Sequence, residues 1–276
     1  MSFHILSYTY VDSFVCHPTI PGLICLYKTM TIANTKLTVI GCGDAFASGG
    51  RIHTCFYIQA PHTNLLLDCG ATAYYGIKKQ GINLRDIDTI VISHFHGDHY
   101  GGVPFLLLDE AIHQREQPLT IISPPTGRER ITQLLDQLYP SSDVLGRLNL
   151  LFKTYIPGSV LEGDHLEIAA FPVIHTKESL PHGLRIAVDG KLIGYSGDTA
   201  WTPLLIELAR DADLFICECN FFDSEVEGHM NYRTLQAYDS QLNCKRLVLT
   251  HFGSEMLANL HRVTHPCAED GLEIML

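Results

Sequence analysis

The sequence predicts an α/β fold of two packed β-sheets covered by outer helices, and three observations lead there. Short β-branched or apolar runs alternate with segments of helical period. The runs fall into two groups with helices interspersed. Finally, 276 residues with 46% apolar content, free of repeats and of biased composition, can bury the core of one large domain.

Taken in order, strands are predicted at "KLTVIG" (36 to 41), "TCFYIQ" (54 to 59), "NLLLDC" (64 to 69) and "DTIVIS" (88 to 93), with a helix over 71 to 80. Helical patterning follows at 102 to 114, where Pro104 suits a first turn, and at 127 to 138. A second group of strands is predicted near 119 to 123, 150 to 155, 165 to 174, 184 to 188 and 191 to 195, with Asp189 and Gly190 as the hairpin turn between the last two. Then come a helix at 203 to 210, a strand at 213 to 218, a helix at 231 to 242, a strand at 246 to 250 and a short strand near 272 to 275. Residues 1 to 30 carry one basic residue, Lys28, and no period of 2 or 3.6, so they are read as an N-terminal appendage of unknown role. The main folded domain is placed at 31 to 276.

Composition excludes several classes of function. The longest apolar runs, such as "FLLL" at 105 to 108, are too short to span a bilayer, so no membrane partner is expected. A formal charge of −11 with only 19 Lys and Arg disfavours a long nucleic acid held on a basic surface. A small anionic substrate at a local positive centre stays compatible with that balance, as does a homodimer. Nine cysteines, closely spaced only in "CEC" at 217 to 219 and preceded by no secretory signal, read as reduced thiols in a cytoplasm. Cys217 and Cys219 alternate along a predicted strand and are expected to fill core positions.

The densest chemistry stands in "VISHFHGDHYGG", residues 91 to 102. An apolar strand delivers the chain to a loop, where His94 and His96, two apart, can point at one ion. Asp98 and His99 follow where the chain bends at Gly97 and can face a second ion. The alternative is a fortuitous surface cluster, which the His-x-His-x-Asp-His spacing disfavours.

"SHFHGDHYGG" resembles the signature of the metallo-β-lactamase superfamily, and the resemblance covers residues 36 to 276. It implies an αββα sandwich and three further ligands: His175 in "VIHTKES", Asp198 in "GYSGDTA" and His251 in "VLTHFG". By that resemblance His94, His96 and His175 hold one metal, Asp98, His99 and His251 a second, and Asp198 bridges them. Two ions about 3.5–4 Å apart can share a hydroxide and stabilise attacking and leaving oxygens. Imidazole and carboxylate ligands suit two Zn2+, with Mn2+ or Fe2+ as alternatives. No cysteine falls on a ligand position.

Within the superfamily, four stretches resemble the ribonuclease Z branch: "GCGDAFASGGRIHTCFYI", "YSGDTAWTPLLIELARDADLFICECNFFD", "EGHMNYRTLQAY" and "LVLTHFG". The β-lactamases themselves commonly carry cysteine where Asp198 stands, and glyoxalase II carries Thr-Pro-Gly-His-Thr where this chain has "PVIHTKES". The catalytic candidates are Asp98, His229 and Glu218. His229 can protonate a leaving oxygen or bind phosphoryl oxygens, unless it is merely solvated beside a helix. Glu218 can orient that ring, or it is a strand-end carboxylate satisfied by backbone donors. Arg51, His53, His182, Lys177 and Arg185 are weaker candidates for substrate contact, each with a plain structural alternative.

One departure narrows the substrate. Ribonuclease Z enzymes that process transfer RNA carry a long arm between the third histidine and the bridging aspartate, whereas 22 residues separate His175 from Asp198 here. The expectation is therefore a phosphodiesterase acting on a small phosphodiester, such as a nucleotide or cyclic nucleotide, or on an RNA 3′ end. The rivals are a lactonase or thioesterase on the same metals, and a non-catalytic metal or nucleotide sensor.

Overall fold

The computed structural model describes residues 34–276, so the appendage expected over 1 to 30 lies outside the described residues. Chain order gives β1 (Lys36–Gly41), β2 (Cys55–Gln59), β3 (Asn64–Leu67), β4 (Thr89–Val91), β5 (Leu119–Ser123) and β6 (Leu150–Thr154). Next are β7 (Val160–Leu161), β8 (Leu166–Pro172), β9 (His182–Val188), β10 (Lys191–Tyr195), β11 (Leu214–Glu218), β12 (Leu247–Thr250) and β13 (Glu273–Met275). They build a seven-stranded sheet in the order β13-β1-β2-β3-β4-β5-β6 and a six-stranded sheet in the order β12-β11-β10-β9-β8-β7. With helices on the outer faces this is the expected αββα sandwich.

The strand patterns explain the layers. In β2, Phe56 and Ile58 face the second sheet while Cys55 and Tyr57 face the helices α1 (Ala73–Lys79) and α3 (Val103–Ile112), and all four are buried. In β3, Leu65 and Leu67 point inward and Leu66 outward. Burial on both faces turns an alternating pattern into a continuous apolar run. Across the gap, Leu184, Ile186 and Val188 of β9 meet the inward side chains of the first sheet. Burying each such Leu, Ile or Phe contributes about 1.5–3 kcal/mol. Helix α4 (Gly127–Leu138) adds Ile131 and Leu135 to the outer layer of the first sheet, and α5 (Leu204–Ala209) packs Leu205 and Leu208 on the second.

The β9–β10 hairpin turns at Asp189 (φ 45) and Gly190 (φ 78), both left-handed as a two-residue turn of this hand requires. The helix expected over 231 to 242 stops early: α6 spans Tyr232–Tyr238 and passes into a 3-10 turn at Asp239–Gln241. Asn231 caps it by accepting from the Thr234 N–H at 2.8 Å. Three elements carried too few residues to show a period: β7, α2 (Gly97–Tyr100) and α7 (Ser254–Ala258). Among the described residues no helix is long and apolar enough to cross a membrane.

The site is fixed by strand direction. β3 runs parallel to β4, and β10 parallel to β11 and β12, while β8 lies two antiparallel steps from β10. The carboxyl ends of β3, β4, β8, β10, β11 and β12 thus open on one end of the sandwich, and a His, Asp or Glu side chain lies at or shortly after each.

Candidate metal centre

Five side chains from the first sheet enter this end. Asp68 ends β3 with φ 57, a strained backbone for a residue other than glycine. His94 and His96 follow β4, and α2 then turns Asp98 and His99 back over the strand ends. The second sheet adds His175 after β8, Asp198 after β10, Glu218 at the end of β11 and His251, with φ 62, directly after β12.

These residues gather into two groups that share one carboxylate. His94, His96, His175 and Asp198 offer ligand atoms within 4.8 Å of one another, and so do Asp98, His99, Asp198 and His251. Asp198 Oδ1 stands 3.2 Å from His99 Nε2, while its Oδ2 stands 3.8 Å from His94 Nε2, 3.9 Å from His175 Nε2 and 3.3 Å from His251 Nε2. The structure therefore brings all seven residues singled out as ligands into one cluster, in the two sets expected.

The donor atoms fit metal ions better than they fit each other. His94 Nε2, His99 Nε2 and Asp198 Oδ1 are buried and make no hydrogen bond. Leaving such atoms unpaired costs about 1–3 kcal/mol each, and a shared cation is the partner this donor set can take. The opposite ring nitrogens are anchored. His99 Nδ1 lies 2.7 Å from Asp68 Oδ2, His94 Nδ1 3.0 Å from Ser93 Oγ, His251 Nδ1 3.0 Å from Thr54 Oγ1, and His175 Nδ1 2.8 Å from the Gly228 carbonyl. Each anchor fixes a ring and aims its other nitrogen at the cluster.

Charge follows the same plan. Burial, aided by neighbouring imidazoles, holds His94 well below its usual titration range and lowers His96, keeping the neutral rings that coordination needs; burial likewise lowers His175, against the pull of Asp198. Burial also works against protonated His99, yet Asp198, Asp98 and Asp68 outweigh it and raise its pKa. Burial opposes ionised Asp98 and Asp198 too, and the surrounding imidazoles overcome it, His99 for the first and His251 with His99 for the second. A carboxylate field of this strength favours any cation placed within it.

Beside the cluster, Glu218 is buried and His229 only partly so, with His229 Nδ1 3.1 Å from Glu218 Oε1. Thr199 N–H donates to the same oxygen at 2.6 Å and Met230 N–H to Oε2 at 3.3 Å, so Glu218 meets both the His229 ring and backbone donors. Burial disfavours a charged His229, but Glu218 reverses this through hydrogen bond and charge, and the imidazole is pushed up to about 9. Burial raises the Glu218 carboxyl as well.

The weaker candidates do not line the cleft. Arg51 lies over the Phe252 ring at 5.8 Å, and His53 exchanges hydrogen bonds with Thr72. Arg185 Nη1 donates to the Glu207 and Arg210 carbonyls at the end of α5, and His182 packs edge-on against Tyr155. Lys177 lies in a 3-10 turn outside the cleft, and Cys217 and Cys219 are buried in the core as expected. Sequence reasoning passed over Asp68, whose carboxylate also accepts from Ser93 and Tyr195, and Phe46, which lines the cleft while 88% exposed. The signals were an aspartate ending an apolar run and an aromatic among small residues in "GDAFASGG". The cleft, about 550 Å³, is walled by Phe46, Phe221 and Val226 and floored by His96, Asp98 and Asp198.

Comparison with known proteins places the geometry among relatives. The family model described as Anti-Pycsar protein Apyc1 matches residues 35–265. Ribonuclease Z of Lachnoclostridium phytofermentans is 25% identical over 269 residues, covering 79% of this chain and 87% of the relative. The crystal structure of human tRNase Z, short form, superposes with a TM-score of 0.71 at 22% identity over 87% of this chain and 98% of its own. The metallo-β-lactamase fold protein YhfI of Bacillus subtilis gives a TM-score of 0.70 at 22% identity, covering 88% and 99%.

Proposed function

We propose that this chain, which belongs to the Anti-Pycsar protein Apyc1 family and is a metal-dependent hydrolase of the ribonuclease Z-like branch of the metallo-β-lactamase superfamily, hydrolyses a small phosphodiester. The observation that carries the reading is the pair of ligand groups joined through the two oxygens of Asp198, with three buried donor atoms left without hydrogen bonds. His94, His96 and His175 would hold one divalent ion, Asp98, His99 and His251 a second, and Asp198 both, with zinc the best match to the donors. Two such ions would supply Lewis acidity and an acidified water at neutral pH.

The chain's own residues do the rest. Asp68, Ser93, Thr54 and the Gly228 carbonyl hold four rings in place. Glu218 binds His229 through Nδ1 and keeps a proton on the ring, so Nε2 is available to protonate a leaving oxygen in the cleft the ring lines. Phe46, Phe221 and Val226 offer an apolar wall to the organic part of a substrate, which suits a nucleotide or cyclic nucleotide. Between His175 and Asp198 the chain makes only a 3-10 turn and the β9–β10 hairpin, with no room for an arm that grips a large RNA.

A substrate panel tests this reading. A metal-loaded preparation should hydrolyse a cyclic nucleotide or another small phosphodiester, and leave a lactone and a thioester largely intact. Turnover of the lactone or thioester without the phosphodiester would transfer the site to carbonyl chemistry.

A further inference from the structure

At the end of the sandwich opposite the cleft, three side chains converge from three separate connections. His62 lies in the β2–β3 turn, His165 immediately before β8, and Asp189 in the β9–β10 hairpin. The seven residues of β8 alone place this end roughly 20 Å from the hydrolytic site. The ligand atoms of the three residues lie within 4.8 Å of one another. Asp189 Oδ1 is 2.6 Å from His62 Nδ1 and 3.5 Å from His165 Nδ1, and the two imidazoles stack with centroids 4.1 Å apart and planes 14° apart.

The backbone holds this arrangement in place. The His62 N–H donates to Asp189 Oδ2 at 3.0 Å, and the Asp189 N–H donates to the His165 carbonyl at 3.2 Å. Neither bond uses an imidazole, so the three connections stay joined whether or not the rings bind anything. Around a tetrahedral zinc ion, nitrogen and oxygen ligands at about 2.0–2.1 Å stand about 3.3 Å apart; the 3.5 Å between His165 and Asp189 is close to that, and the 2.6 Å hydrogen bond between His62 and Asp189 would open by about 0.7 Å as an ion replaces its proton. The Asp189 carboxylate is 5% exposed while the rings are 55% and 48% exposed, which leaves an open side for water to complete the shell. Glu162, Asp164 and Glu167 flank His165 along the chain and add negative charge. The hydrolytic reaction uses none of these groups.

We propose that His62, His165 and Asp189 form an additional site for a divalent transition-metal ion such as Zn2+, a clip that joins the β2–β3 turn of the first sheet to the β9–β10 hairpin of the second. Three ligands with a solvent-facing position give weaker retention than the buried cleft, so this ion exchanges when free metal is withdrawn.

The test uses the holoenzyme with its cleft loaded and excess metal removed, titrated with ZnCl2 by calorimetry beside His62→Ala/His165→Ala and Asp189→Asn, the latter keeping the turn. The wild type should bind one further equivalent and gain thermal stability as zinc is added. The double variant should lose both responses, and Asp189→Asn should bind at least about 10- to 100-fold more weakly. Hydrolysis, read in the same samples, should be unchanged in all three, so the fate of this site is judged apart from the reaction. No further equivalent in the wild type, or one of equal affinity in the double variant, would overturn the proposal.

Discussion

The two oxygens of Asp198 face different partners, Oδ1 toward His99 and Oδ2 toward His94, His175 and His251. His229 lies beside Asp198, but its Nδ1 is committed to Glu218 and is not free to coordinate an ion of the cleft. The two residues should therefore fail differently. His229→Ala should keep its metal and lose on the order of 10² to 10⁴ in rate on a phosphodiester with a poor alkoxide leaving group. With a nitrophenyl leaving group, which departs without a proton, the loss should be much smaller. Equal losses on both substrates would mean that His229 binds the phosphoryl group instead. The convergence of the seven residues singled out as ligands was legible in the sequence because the short spacing in "SHFHGDHYGG" carries four of them and the family resemblance supplies three more at strand ends. Asp68 was not, because its role arises only when β3 lies beside β4 and its carboxylate meets His99 and Ser93.

The elements turn strand order into site geometry. Most were readable, since runs such as "NLLLDC" and "TCFYIQ" show either an apolar run or an alternation. Those that were not, β7, α2 and α7, have two, four and five residues, too few for a strand alternation or for two helical turns. The helix expected to reach 242 ends at Tyr238 because the chain tightens into a 3-10 turn. Loops matter as much here as strands. Gly228 has φ 80, its carbonyl accepts from His175 Nδ1, and a Cβ there would lie 2.8 Å from that same nitrogen. Gly228→Ala should cost about 1–3 kcal/mol of stability. It should also weaken metal retention by the His175 group by about 10- to 100-fold, measured by competition with a chelator. A shift in thermal midpoint with unchanged retention would show that the Gly228 carbonyl does not position the ring.

At the scale of the molecule, an acidic chain of formal charge −11 concentrates imidazoles and carboxylates at one end of a sandwich whose opposite end is tied by His62, His165 and Asp189. Every residue assigned to the cleft lies at or after Ala45, and β1 pairs with β2 and β13 from Lys36 onward. A chain beginning at Met30 should then fold and hydrolyse as the full chain does, tested by thermal melting and turnover; a large loss of stability would make the first 29 residues a structural part of the domain. The most direct measurement of the central claim is the metal content of the purified chain after dialysis against metal-free buffer, alongside Asp198→Ala. The account predicts close to two tightly held ions per wild-type chain, with clearly fewer in the variant and no turnover by it. A folded wild-type chain that retains at most one ion after saturation with zinc, or an Asp198→Ala variant with wild-type activity, would contradict it.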